Sequence, residues 1–368
     1  MGWGGLNVDL SLNTDQELLA ASVRAFVQRD ASTELLTGLA ETPGAVIPTW
    51  QGSMSDAGWL GIVIGSESGG VDASTLEAAI VCEELGRGPV PGPFLASSIV
   101  GALLIGAAEP CDQRDRLLAG IADGDCVISP VLRDPDGTWS GLERGRDTAG
   151  VFPFVPQASN VTHYLLPAVE DGSDGIEIRV IAASHSGVTV RPLTGLLGGN
   201  VELTVPQTVS VTSLRIVDRM ALRDALARAY VLVAAYQVGG CQAVLERSID
   251  YSNTRKQFSV PIGKFQRVQD HIVEMLNATD AGRWTMLEAA WKLDAGRPAR
   301  AGAHLAAATA SESYLAAVDY AHKVHGGIGV DPQYGLTLFT AMSRSLYEFL
   351  GHPKWHRRRM LAELEKTV

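Results

Sequence analysis

The sequence is poor in cysteine, poor in aromatics and short of positive charge. Its four cysteines in 368 residues, Cys82, Cys111, Cys126 and Cys241, show no paired spacing. That argues against a disulfide framework or a paired-cysteine zinc module, and predicts reduced core thiols in a cytoplasmic protein. Lys and Arg number 30 against 41 Asp and Glu, a formal charge of −11. Nucleic acid is thereby excluded as the main partner, because phosphate backbones call for a basic face. The longest apolar run, near Ala96–Ala108, is too short to span a bilayer and contains Gly and Ser. The first residues lack a basic segment followed by an apolar one, so no signal peptide is expected. No Gly-x-Gly-x-x-Gly follows a strand-like run and no phosphate loop is present, which argues against nucleotide-binding α/β folds. His352 and His356 have i,i+4 spacing but no accompanying Glu or third ligand, so no metal site is expected.

What is present falls into three zones, expected as domains 1–124, 125–214 and 215–368. The first is helical. Thr14 as N-cap with Glu17 three residues on predicts a helix start before "LLAASVRAFVQRD". "IPTWQGSMSDAGWLGIVI" and "ASTLEAAIVCEELGRG" predict short helices around a "GSESGG" loop. The second zone is rich in Val, Thr and Ile, with turn clusters at Asp134–Gly137 and Glu170–Gly175. It predicts a small antiparallel β-barrel or sandwich. The third predicts long antiparallel helices, a four-helix bundle. Its first helix runs from Asp218 past Arg255 and breaks near Ser259-Val-Pro. The fold class is therefore α+β, mainly α.

One stretch does not suit a plain helical hairpin: "RKQFSVPIGKFQRVQD", from Arg255. With "HKVHGGIGVDPQYGL" later, it resembles two motifs of the acyl-CoA dehydrogenase family, Arg-x-x-Phe-Gly with Phe-Gln, and Gly-Gly-x-Gly. "LNTDQELLAASVRAFVQRD" and "EELGRG" resemble the family's opening helix and its Glu-Glu-Leu-Gly-Arg segment. The resemblance covers nearly the whole chain. It implies FAD held between subunits, with the bundle of one chain clasping the ADP half of the flavin held by its neighbour. Arg255 would then pair with the pyrophosphate, since a guanidinium forks onto phosphate oxygens. Phe258 would pack against the cofactor and Gln266 would hydrogen-bond it, with Gln257 in the same set. Gly326 and Gly327 would let the backbone approach closely. Lys323 stands where the family usually has Gln. Taken without the resemblance, Arg255 and Lys256 also suit a helix C-terminus, worth roughly 0.3–1 kcal/mol each. Gly326-Gly327 also suits a helix C-cap.

The departures concern the chemistry. The family reaction removes a proton α to a thioester while flavin takes the β hydride, so it needs a carboxylate base. Its usual place is a Tyr-Glu-Gly-Thr turn before the last helix; here Leu350 occupies that position and Glu348 lies two residues before it. The alternative place, on the first bundle helix, falls near Ala229. The acidic flavin-cradling loop and its Trp-Ile-Thr strand correspond to "ISPVLRDPDGTW" and "VFPFVPQASNVTHYLLPA", which keep neither pattern. This combination resembles the base-lacking β-type chain of actinobacterial α2β2 dehydrogenases of steroid side-chain breakdown. Implied partners are an acyl-CoA substrate, a second dehydrogenase-like chain and an electron-transfer flavoprotein. The alternatives are a homotetramer using Glu348 as base, and a non-catalytic protein that assembles or binds acyl-CoA.

Overall fold

The structure, a computed structural model, describes residues 12–41, 48–134, 137, 139, 149–156, 160–169, 176–193, 200–207, 211–216 and 218–366. The Glu170–Gly175 turn cluster lies outside the described residues.

The N-terminal part is helical: α1 (Thr14–Asp30), α2 (Thr33–Glu41), α3 (Pro48–Asp56), α4 (Thr75–Arg87), α5 (Ala102–Gly106) and α6 (Asp112–Asp123). The cap of α1 is Asn13, not Thr14: its Oδ1 accepts from Gln16 N at 2.9 Å, and Gln16 Oε1 accepts from Asn13 N. Asn offers the same short acceptor one residue earlier, so the reciprocal box forms there. At α4, Ser74 and Glu77 form the same box. The Asp294 carboxylate takes the next two donors, Thr75 N at 2.7 Å and Leu76 N at 3.0 Å. That ties two distant elements and suits the positive end of the helix. Cys82 and Cys241 are buried core thiols, but Cys111 is exposed as the cap of α6.

The middle part has strands β1 (Ile128–Pro130), β2 (Gly150–Pro156), β3 (His163–Val169), β4 (Ile176–Ala182), β5 (Thr189–Leu193), β6 (Asn200–Val205) and β7 (Thr212–Ile216). They pair as two sheets, β1-β3-β4-β7 and β2-β6-β5. Period-2 alternation decides what each side chain joins. Leu165, Ile178, Val180, Leu214 and Ile216 belong to the main core shared with the helices. Tyr164, Leu166 and Ile181 join Phe152, Val201 and Leu203 in a second core. Leu165↔Val180 and Tyr164↔Ile181 are register neighbours, so one strand pair serves both cores.

The C-terminal part is α7 (Arg219–Thr254), α8 (Gln266–Asp294), α9 (Arg300–His325), α10 (Leu336–Leu346) and α11 (Pro353–Glu365). The first helix ends at Thr254, five residues before the expected break. There the chain turns into a short hairpin, β8 (Lys256–Gln257) with β9 (Val260–Pro261). Three long helices pack together, and α10 and α11 lie against α9.

Helix α4 crosses α7 with almost no side chain between the backbones. A Cβ on Gly86 would stand 1.9 Å from Tyr236 O, and one on Gly239 1.9 Å from Glu83 O. Gly239, in the interior of α7, costs about 1 kcal/mol in propensity, and Gly86 lies in the last turn of α4; each admits the other helix's carbonyl. Around them the Tyr236 hydroxyl donates to Val90 O at 2.8 Å. Gly239→Ala is therefore expected to destabilise the protein by about 3 kcal/mol through overpacking, read from urea unfolding; a loss near the few tenths of an exposed substitution would contradict the crossing.

Candidate functional site

Two places draw together residues that can carry chemistry. The first is one end of the bundle. Tyr251 on α7 stacks on His325 of α9 at 4.6 Å, and His271 on α8 meets Tyr320 of α9 at 5.5 Å. These contacts bring the end of α7, the start of α8 and the end of α9 side by side. Arg255, Gln257, Phe258, Gln266, Lys323, Gly326 and Gly327 gather there, all exposed. The side chains of Arg255, Gln257 and Gln266 make no ion pair or hydrogen bond with the described residues. Lys323 Nζ rests over the Tyr320 ring at 4.4 Å. Phe258 is 89% exposed at the hairpin tip. Both tip residues have positive φ, +50° for Phe258 and +67° for Ser259, strained for residues that carry a Cβ. Gly326 combines φ +61° with ψ −136°, which calls for glycine. A Cβ at Gly326 or Gly327 would meet nothing within 4 Å, so the space beside them is open.

The second place is a cleft of about 480 Å³ between the β-sheets and the end of α10. Leu132, Arg133, Phe154, Asn200, Tyr347 and Glu348 line it. Phe154 reaches it through a β-bulge between Phe152 and Val155, with φ +56°. Bulges re-aim a side chain in this way. The Glu348 carboxylate is 3.9 Å from Arg133 and 3.7 Å from His352 Nε2, and its side chain is 47% exposed. Arg133 also donates to Glu348 O, and burial pulls its guanidinium below the ordinary value while Glu348 opposes that. Leu350 is buried at 4% exposure and Ala229 at 1%, so neither alternative position offers a carboxylate.

The two places sit at different heights along α7. Gln237 donates to Leu346 O at 3.2 Å, beside the cleft. Thr254, at the other place, is 17 residues farther along, roughly 25 Å at 1.5 Å per residue.

Between α9 and α11 lies a pair that the sequence pattern did not single out. His304 Nδ1 and His356 Nδ1 are 2.9 Å apart and buried, joining α9 to α11. Tyr230 and Trp355 pack around them. Burial holds His304 down at about 4, helped by Arg359, with Glu363 opposing. Burial holds His356 at about 3, helped by His304. His352, the other member of the i,i+4 pair, caps α11 by accepting from Lys354 N. Among the described residues there is no group of three or more His, Cys, Asp or Glu placed to hold a metal.

The helical frame and the middle sheets agree with comparisons against known proteins. Residues 13–125 match the acyl-CoA dehydrogenase N-terminal domain and residues 220–364 the acyl-CoA dehydrogenase C-terminal domain. The chain belongs to the acyl-CoA dehydrogenase family, whose cofactor is FAD and whose members are oxidoreductases acting on CH–CH bonds. It is 25% identical to the acyl-CoA dehydrogenase IpdE2 of Mycolicibacterium smegmatis, over 96% of this chain and 100% of that one. In fold it is similar to the Tcur3481-Tcur3483 steroid ACAD, with TM-score 0.86 and 23% identity over 96% of this chain and 98% of that one. It is equally similar to a chain of the ChsE4-ChsE5 complex from Mycobacterium tuberculosis, TM-score 0.86 and 23% identity, over 98% and 100% of the two chains. No described helix is long and apolar enough to cross a membrane.

The bundle-end residues fit part of FAD: an unpaired guanidinium for a diphosphate, an exposed ring for an aromatic face, and open glycine backbone.

Because both histidines are held below 6.5, the unfolded chain takes up protons that the folded pair refuses as pH falls from 6.5 toward 4 and then 3. Stability therefore rises with pH across that window. Urea midpoints between pH 5 and 6.5 should climb, and His356→Gln should flatten the climb; an unchanged slope would remove the pair as its source.

Proposed function

We propose that this chain is the clasp-bearing subunit of a two-chain, FAD-dependent acyl-CoA dehydrogenase. The carrying observation is the separation just described. Exposed, unpaired clasp side chains stand roughly 25 Å along α7 from the chain's own cleft, while buried Leu350 holds the family position of the base. A clasp so placed serves a flavin seated in a neighbouring chain. Likeness to a steroid ACAD and to a two-chain complex supports an unlike neighbour, an α2β2 assembly and a steroid side-chain thioester. An electron-transfer flavoprotein would be the acceptor and the cytoplasm the location. In this reading residues 1–124, 125–214 and 215–368 act as the three domains.

Each residue then has a defined task. Arg255 neutralises the diphosphate with a forked pair of donors. Phe258 covers an aromatic face, and Gln257 and Gln266 offer amide donors and acceptors. Lys323, whose Nζ rests over the Tyr320 ring, adds positive charge. Bound flavin supplies the acceptor for the β hydride; the α proton goes to a carboxylate that the partner contributes.

A second reading has one observation in its favour: Glu348 lines the cleft. In that reading the chain is a homotetramer and Glu348 takes the proton. A third, in which the chain only assembles or binds acyl-CoA, predicts no flavin under any pairing.

The visible flavin spectrum separates them. The chain purified alone should be colourless, and co-expression with a second dehydrogenase-like chain should yield a yellow, larger complex. A stoichiometrically yellow single chain whose turnover is abolished by Glu348→Gln would replace the two-chain reading with the homomeric one. In the chain alone, Phe258→Ala should leave the melting temperature unchanged, because the ring is 89% exposed; within the complex the readout is flavin retention. Arg255→Ala should weaken flavin retention by about tenfold or more, the worth of one charge-assisted hydrogen bond. Equal retention by Arg255→Ala and the parent would remove Arg255 from the clasp.

A further inference from the structure

The segment after β1 crosses the α10–α11 connection at two points. Arg133 Nη1 donates to Gly137 O at 3.1 Å, and its other terminal nitrogen donates to Glu348 O. Two residues past Gly137, the Trp139 indole is buried at 8% exposure. It lies flush against Gly351, whose φ is +124°. A Cβ there would stand 2.7 Å from Trp139 Cδ1 and 2.8 Å from Nε1. Trp355 packs edge-on against the same indole at 5.9 Å.

The Trp139 Nε1–H is buried and has no acceptor among the described residues. An unmet buried donor costs about 1–3 kcal/mol. A phenylalanine would fill most of the same volume without that cost, so stability alone does not account for an indole here. The ring lies against the backbone of Gly351, the residue after Leu350. A base acting from position 350 must come within hydrogen-bond reach of the carbon it deprotonates. A thioester brought to that turn would meet the indole that lies against Gly351.

The geometry points to Trp139 as a plug that shuts this chain's own acyl position and leaves the substrate to the partner's cleft. The inference rests on the two-chain reading and extends it. Loss of the base and loss of space occur at the same turn, on residues far apart in sequence. Replacing Leu350 by a carboxylate would therefore not by itself create a second competent site.

The test is calorimetric titration of the full chain with octanoyl-CoA, with thermal melts to confirm folding. The parent chain and Trp139→Phe should show no saturable binding. Trp139→Ala should bind one equivalent at least tenfold more tightly than the parent. Trp139→Leu should fall between them, and it serves as the test if the Ala variant does not fold. Trp50→Phe, a change at another buried indole, should gain nothing. Binding by the parent as tight as by Trp139→Ala overturns the plug. So does a folded Trp139→Ala or Trp139→Leu that binds no better than the parent, or a gain seen equally with CoA lacking an acyl chain. Binding by the parent without turnover overturns the plug alone, whereas turnover by the parent chain overturns the two-chain reading.

Discussion

The close crossing of α4 on α7 is the constraint on which the rest of this structure depends. Gly86 and Gly239 remove the side chains that would hold the helices apart, and backbone carbonyls fill the space. Packing at that distance fixes both the height and the rotation of a 36-residue helix. Everything with chemical potential is then referenced to α7. Gln237 holds the end of α10, Tyr230 backs the buried histidine pair, and Thr254 delivers the hairpin. Loosening the crossing would shift all three together, because packed interiors transmit displacement rather than absorb it.

The two candidate places differ in how they are built. The bundle end is exposed and strained at Phe258 and Ser259, and the Arg255 side chain pairs with none of the described residues. Such surface is costly for an isolated chain and makes sense against a partner. The cleft side is the reverse. Its connecting turn is held by Arg133 from one side, packed by Trp139 from another, and backed by His356. A turn so constrained positions backbone well but leaves little room beside Gly351. An exposed clasp at one end and a tightly held turn at the other suit a chain that completes a site elsewhere better than one that houses the reaction.

Much of the fold was legible because its signals are local. Helical period and the apolar–polar alternation of β4 each act within a few residues. The errors were local too. The cap moved from Thr14 to Asn13 because two adjacent residues can both accept. The end of α7 moved to Thr254 because a two-residue hairpin turn with positive φ carries no Asn-Gly signature when it is built from Phe-Ser. Cys111 was expected in the core and stands exposed at a helix start, since a lone cysteine's spacing says nothing of its depth.

By itself the sequence determined the order of helical and sheet segments, the family motifs at Arg255–Gln266 and Gly326–Gly327, and the absence of a carboxylate at position 350. Those follow from residue type and short spacing. Only the tertiary structure decided that Arg133 meets Glu348 and Trp139 meets Gly351, that His304 meets His356, and that clasp and cleft lie far apart on α7. These are contacts between segments widely separated along the chain. Chain entropy makes such contacts costly to form, and no local pattern encodes them; the packing of α4, α7 and α9 is what holds them in place.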